Sequence, residues 1–385
     1  MQKTQPRKTV NVALIGSGFI GGEHAKGYAL APACCPDIAA TPVRKILCDA
    51  NEESVREKAK LWGFEEYCTD YHEILKRDDI DIVDICTPEP SHAQIVCDLI
   101  KEKKFFIACE KPLVAVLEDG EKIMKTIDEY DWDDHTAVSF NKRRFQAVAY
   151  AREVVKSGKL GEILTFHGRY NNCVFRGAPH PKDDYRVSSG WANCGTHLFD
   201  MCAFILDDEF DEVVGQVGTA PKMIPSRLPN PGEKPEDIPM VKSIAENYAF
   251  VIAKMKSGLE VTLLRESIYH GANEDISYEI LGSKGSLRWS AMDCNRVEYC
   301  DGTEPWGAKG FKSIYMGPKH PYGKCVSFDG FVKGVSDQFA LEVYDLVNAC
   351  VRGERFQPTM KDSWGVHKAC QAVRESEKTH SWVQV

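Results

Sequence analysis

Apolar residues in this chain follow two rhythms, and the change between them comes near residue 140. Before it, short and almost unbroken apolar runs predict strands at Val10 to Ile15, Val43 to Cys48, Ile82 to Cys86, Phe105 to Cys109 and Thr136 to Phe140. Between them, helical spacing predicts helices at Ile20 to Leu30, Glu52 to Leu61, His92 to Lys101 and Leu117 to Glu129. Strands with no polar phase are covered on both faces, and in a strand-helix alternation this means a parallel, doubly wound α/β sheet. Beyond residue 140, a helix from Gln146 to Val155 precedes runs in which apolar and polar residues alternate. These are Ile163 to Tyr170, Val213 to Gly218, Ala249 to Ala253, Glu260 to Ser267, Ser277 to Leu281 and Ser286 to Ser290. Alternation predicts a mostly antiparallel sheet with unlike faces. The stretch Pro221 to Pro239 reads as an exposed loop, and helical patterns over Asp337 to Cys350 and Ser363 to Lys378 complete the chain. The expected division is 1–140 and 141–385.

Composition narrows the function classes. A chain of 385 residues with 43% hydrophobic and 27% charged residues is long enough for two domains, each with its own core. The net charge of −9 opposes nucleic acid, and the densest basic run, Lys142-Arg143-Arg144, is too short to make a basic face. No segment approaches the roughly 20 apolar residues of a membrane helix, and no apolar stretch of signal type follows the polar start, so a cytoplasmic location is expected. The 15 cysteines include no Cys-x-x-Cys pair. Those in apolar runs (Cys86, Cys97, Cys109, Cys202, Cys350) read as small core residues in a reducing compartment, with no metal site expected.

One motif changes the picture. Val12 to Ile15 is followed by Gly16-Ser17-Gly18-Phe19-Ile20-Gly21, a G-x-G-x-x-G placed directly after a strand and opening a helix. Gly16 suits a tight turn, Gly18 lets a pyrophosphate approach the backbone, and Gly21 allows close helix-strand packing. The unpaired N–H groups of the helix start, including those at Phe19 and Ile20, suit phosphate oxygens. Asp49 ends the second strand, where a carboxylate accepts from ribose hydroxyls and repels a 2′-phosphate; Ala50 and Asn51 supply no arginine, so NAD is expected over NADP. Asp49 also suits the N-cap of the helix that follows, and the two roles are compatible.

Two further segments are more specific: Val83-Asp84-Ile85-Cys86-Thr87-Pro88 followed by Ser91-His92, and Cys109-Glu110-Lys111-Pro112. With the glycine turn they resemble the glucose-fructose oxidoreductase / inositol dehydrogenase / MocA family. The resemblance continues through Asn141-Lys142-Arg143, although Gln146 stands where the family commonly has proline. It extends to Ser157-Gly158-Lys159-Leu160-Gly161 and to Asn193-Cys194-Gly195-Thr196-His197-Leu198-Phe199-Asp200. It implies a Rossmann domain with a doubly wound parallel sheet, then a C-terminal α/β domain with a large open, mainly antiparallel sheet. It also implies a homodimer or homotetramer. Thr87, Pro88, His92, Glu110 and Lys111 then join the cofactor side.

Oxidising a secondary alcohol needs a hydride acceptor and a group that takes the hydroxyl proton. Lys111, beside proline at the end of a buried strand, is expected to have its pKa lowered by desolvation and by the nicotinamide charge. His197 titrates in the useful range. The resemblance implies His197 as base, with Lys111 polarising the hydroxyl. Asn193 stands where the family commonly has aspartate; an amide can orient His197 but carries no charge. Tyr170, Asn171, Tyr185, Arg186 and Trp191 are candidate substrate contacts, arginine through paired hydrogen bonds and tryptophan through stacking on a sugar. The expected activity is hydride transfer between NAD and a secondary hydroxyl or ketone of a sugar, glycoside or polyol. The alternatives are a redox-neutral glycoside-cleaving or epimerising enzyme that retains NAD, and a non-catalytic NAD-binding regulator.

Overall fold

The computed structural model describes residues 8–172, 190–220, 222–226, 230, 232–242, 246–330 and 334–385. In chain order the first part runs β1 (Thr9–Ile15), α1 (Phe19–Cys34), β2 (Thr41–Cys48), α2 (Glu52–Trp62), β3 (Glu66–Cys68), α3 (His72–Leu75), β4 (Ile82–Ile85), α4 (His92–Glu102), β5 (Phe106–Glu110), α5 (Leu117–Tyr130) and β6 (Thr136–Ser139). The second part runs α6 (Gln146–Lys156), β7 (Ile163–Asn171), α7 (Gly190–Leu206), β8 (Phe210–Gly218), β9 (Met223–Pro225), β10 (Met240–Lys242), β11 (Tyr248–Met255), β12 (Glu260–Glu266), β13 (Asp275–Gly282), β14 (Gly285–Ser290), β15 (Arg296–Asp301) and β16 (Lys312–Tyr315). Helices α8 (Val335–Arg352) and α9 (Met360–Thr379) and the short β17 (Val383–Gln384) follow.

The chain forms two compact units, 1–145 with 317–364, and 146–316 with 365–385. In the first, a parallel sheet of order β3-β2-β1-β4-β5-β6 is the doubly wound Rossmann arrangement expected from the unbroken apolar runs. Every residue of β4 and β5 is buried, as strands covered on both faces must be. The segment 317–364 rejoins this unit because α8 buries an apolar face on α1. Gly27 permits that approach, since a Cβ there would stand 2.9 Å from the carbonyl oxygen of Phe339. Sequence periodicity marks α8 as amphipathic but does not name its partner, so the expected division at residue 140 placed it in the other half. Strand β3, three residues long, is too short to show a period and was not expected.

In the second unit the sheet order is β16-β15-β14-β13-β7-β12-β11-β8-β17, antiparallel apart from the β7/β12 pair. Its apolar phase, including Phe166, Val251, Val261, Leu263 and Ile280, is buried. Each such side chain contributes about 1.5–3 kcal/mol by leaving water. The other phase is open, with Phe250 and Ile252 nearly half exposed. The expected Pro221 to Pro239 loop contains β9, which pairs with β10 as a small antiparallel ribbon.

Candidate functional site

The residues singled out by sequence fall on both units. In the first, Gly16 has φ +108°, a conformation glycine adopts without cost, and a Cβ there would lie 2.5 Å from the Cys86 carbonyl oxygen. A Cβ at Gly21 would overlap the carbonyl oxygen of Gly16, so this helix can start against the turn only because the position has no side chain. Gly18 differs: it N-caps α1 with nothing within 4 Å of its would-be Cβ. Phe19 beside it is 84% exposed, and Ile20 is partly buried. A backbone with open space before a helix N-terminus fits a pyrophosphate.

Asp49 braces this turn. Its Oδ2 accepts from the Ser17 N–H and hydroxyl, each at 2.7 Å, and its Oδ1 from the Asn51 N–H at 3.0 Å. Burial pushes the carboxyl up, but the N–H groups of Asn51 and Ser17 outweigh it and hold it below its ordinary value. The helix cap expected as a possible second role belongs instead to Asn51, whose Oδ1 accepts from the Ser54 N–H at 2.9 Å. Lys58 donates to the Ser17 carbonyl at 2.6 Å, a contact that sequence reading missed.

Thr87 and Pro88 follow β4, and the Ser91 hydroxyl binds both, at 2.7 Å from the Thr87 hydroxyl and 2.8 Å from the Pro88 carbonyl. His92 is buried: Nε2 lies 2.8 Å from the Thr87 carbonyl and Nδ1 3.1 Å from that of Leu113. It ties the loop after β4 to the loop after β5. Glu110 ends β5 with its carboxylate turned inward, and Lys111 follows, partly exposed. All these residues sit at or beyond the carboxyl ends of neighbouring parallel strands, the edge where doubly wound sheets bind ligands.

In the second unit His197 is buried on α7, its ring 6.2 Å from that of Tyr170. Asn193 lies one turn earlier on the same helix face and is exposed. The Tyr170 hydroxyl donates to Glu274 at 2.6 Å, and burial, then Cys194 and Glu274, push its phenol well up. Asn172 donates to the same carboxylate at 2.7 Å. Arg265 donates to the Tyr170 carbonyl and to Asn172 Oδ1, both at 3.1 Å. Sequence reading missed Arg265, Asn172 and Glu274. The signal for Arg265 was its place in the apolar phase of β12, after Val261 and Leu263.

Two substrate expectations change. Trp191 is 0% exposed and its indole N–H donates to the Cys370 carbonyl at 3.1 Å, so it packs the core and offers no face for stacking on a sugar. Tyr170 and Asn171 are successive residues of β7 and so point to opposite faces; they cannot line the same cleft. Asn171 Oδ1 is buried without a hydrogen-bond partner among the described residues. Tyr185 and Arg186 lie outside the described residues. No helix among the described residues is long and apolar enough to cross a membrane.

Comparison with known proteins agrees with this geometry. Residues 10–132 match the family described as "Oxidoreductase family, NAD-binding Rossmann fold", and residues 148–288 match the "GFO/IDH/MocA C-terminal domain". A levoglucosan dehydrogenase from Pseudarthrobacter phenanthrenivorans is 29% identical over 98% of this chain and 98% of its own. A myo-inositol 2-dehydrogenase from Thermotoga maritima is 26% identical over 72% of this chain and 74% of its own. The solved structure of a levoglucosan dehydrogenase with NADH and levoglucosan superimposes with a TM-score of 0.87 at 29% identity, covering 98% of this chain and all of the other.

Proposed function

The chain belongs to the Gfo/Idh/MocA family of NAD-dependent oxidoreductases acting on CH–OH groups, and from this premise we propose how its own residues divide the work. The observation that carries the reading lies in the first unit. The glycine turn, Asp49, Thr87-Pro88 and Lys111 follow the carboxyl ends of four parallel strands of one sheet. Gly16, Gly18, Phe19, Ile20 and Gly21 hold the pyrophosphate with backbone groups. Asp49 keeps one face for the ribose hydroxyls while bracing Ser17, and its charge disfavours a 2′-phosphate. Thr87 and Pro88, fixed by Ser91 and His92, form the adjoining wall.

Bound NAD supplies the hydride acceptor. Lys111 donates a hydrogen bond to the reacting hydroxyl and lowers the cost of its losing a proton. His197 takes that proton, with Asn193 orienting the ring. Tyr170 and the Arg265-Asn172-Glu274 set shape the sugar side. The substrate is a sugar, glycoside or polyol with a secondary hydroxyl, as the names of the relatives suggest. The open sheet face, with Phe250 and Ile252 exposed, suits self-association as a homodimer or homotetramer.

The direct test is a panel of levoglucosan, myo-inositol, scyllo-inositol and simple pyranosides, each with NAD and with NADP, followed by absorbance of the reduced cofactor. Steady NADH formation with one member supports net dehydrogenation. Product without NADH points to the redox-neutral alternative. The absence of both turnover and calorimetric NAD binding would sink the proposal. If Lys111 and His197 serve one hydroxyl, the Lys111→Met/His197→Gln double variant loses far less than the product of the single losses.

A further inference from the structure

We propose that Asp84, His24 and Glu110 form a buried positioning relay that holds the backbone of Lys111, and through it the lysine side chain, at the end of β5. The inference rests on the reading of Lys111 given above, and extends it to three residues on three other places in the fold.

His24 lies on α1, Asp84 on β4 and Glu110 on β5, with His24 at 4%, Asp84 at 1% and Glu110 at 6% side-chain exposure. His24 Nδ1 is 2.7 Å from Asp84 Oδ2, and His24 Nε2 is 2.9 Å from Glu110 Oε1. An ionised carboxylate only accepts hydrogen bonds, so an imidazole between two of them must donate from both nitrogens, which only the imidazolium can do. Burial alone would push His24 down, but Asp84 and then Cys86 outweigh it and hold the ring well above its ordinary value. Tyr28 donates to the same Asp84 oxygen at 2.9 Å. Helix α8 brings Phe339 to a centroid distance of 4.9 Å from the ring, and it carries Glu342, whose carboxyl burial pushes up to about 7 while Arg144 and His24 pull it down.

The relay ends on the lysine. Glu110 Oε2 accepts the Lys111 N–H at 2.9 Å. The sheet does not continue that far, since the last β4–β5 pair is Ile85 with Cys109 and the last β5–β6 pair is Glu110 with Ser139. The carboxylate therefore does for Lys111 what the ladder does for the residues before it. A group held only by its own side chain would sway; Glu110 cannot, because His24 fixes its other oxygen and Asp84 fixes His24. A displacement of about 1 Å at a reacting group can cost on the order of 100-fold in rate.

The experiment compares His24→Asn, Asp84→Asn and Glu110→Gln with the native protein and with Lys111→Met. Amide hydrogen exchange at residue 111, in the NAD-bound protein, reads positioning without turnover. His24→Asn and Glu110→Gln should speed that exchange at least tenfold, and His24→Asn should leave the NAD Kd within about threefold. With a sugar that the panel identifies, they should lower kcat by roughly 10- to 100-fold. Asp84→Asn removes the partner that holds the imidazolium, so kcat should fall as pH rises through neutrality, a limb that the native protein should not show. Unchanged exchange at residue 111 in a folded His24→Asn overturns the relay, as does a loss of NAD affinity that matches the loss of kcat. If His24→Asn does not fold, the pH limb of Asp84→Asn decides, and its absence counts against the proposal. Full turnover by Lys111→Met removes the lysine's chemical role, while faster exchange in His24→Asn would still support the relay.

Discussion

Replacing Gly18 with alanine should leave the fold intact and damage cofactor binding, whereas replacing Gly21 should do the reverse first. Gly18 has φ −72° and ψ −170°, which any residue adopts, and its would-be Cβ meets nothing within 4 Å. Its folding cost reduces to two small effects. Alanine is a poorer helix N-cap than glycine by about 0.5–1 kcal/mol. The unfolded chain loses freedom when glycine goes, which returns about 0.4–1 kcal/mol. The net change should lie within about 0.5 kcal/mol of zero. At Gly21 a methyl would overlap the Gly16 carbonyl oxygen, and overpacking of this kind costs about 1–3 kcal/mol. If the space beside Gly18 is where a pyrophosphate lies, the methyl should raise the NAD Kd roughly 10- to 100-fold, about 1.4–2.7 kcal/mol. Urea unfolding of both variants, with calorimetric titration of NAD, measures all four quantities. An unchanged Kd in Gly18→Ala would show that the turn does not face the pyrophosphate. A stability loss beyond about 2 kcal/mol there would refute the open-space argument itself.

Three further outcomes follow from the same geometry. Glu342, buried with its carboxyl raised to about 7, keeps its proton in the fold to higher pH than in the unfolded chain, where it ionises near 4.5. Its stabilising protonation is complete below that lower value and is lost as pH rises through 7, so between pH 5 and 8 the native protein should lose roughly 2–4 kcal/mol relative to Glu342→Gln, as read by denaturant midpoints; parallel pH curves would refute this. Arg265→Met leaves Asn172 Oδ1 and the Tyr170 carbonyl without their donor, and should cost about 1–3 kcal/mol and raise the sugar KM with little change in NAD affinity; a change confined to NAD affinity would contradict it. Asn193→Asp places a carboxylate one turn from His197, which favours the imidazolium and should move the acid limb of the kcat/KM profile to higher pH; an unmoved profile would put position 193 outside the proton path.

Most of the first unit was legible because its strands are buried on both faces, and unbroken apolar runs such as Ile82 to Cys86 have no other good explanation. The glycine turn was legible because Gly16 and Gly21 each answer a separate steric demand, while Gly18 leaves open space before the helix. What escaped was mostly allegiance between distant segments. Helix α8 shows an apolar stripe but not that α1 receives it. Trp191 shows a large aromatic near a sugar-site motif, yet a tryptophan whose N–H can reach a carbonyl packs as well inside as at a cleft, and Cys370, far along the chain, provides that carbonyl. Tyr170 and Asn171 were read one residue short of the strand end, which hid that β7 sends them to opposite faces.

The two most informative signals were charges in apolar phases. Asp84 interrupts Ile82-Val83-Ile85, and Arg265 takes the inward position after Val261 and Leu263. Burying either without a partner would cost several kcal/mol, so each demands one, and a sequence can state the demand without saying how it is met. Asp84 meets it with an opposite charge: the His24 imidazolium neutralises it and passes the constraint to Glu110. Arg265 meets it differently. It makes no ion pair among the described residues, its Nε has no hydrogen-bond partner among them, and its other donors reach only a carbonyl and an amide oxygen. Asn172 connects it to Glu274, so the arginine reaches the carboxylate only through an amide. The first arrangement is closed, which suits holding a lysine still. The second is less complete, since the buried Nε of Arg265 finds no acceptor among the described residues.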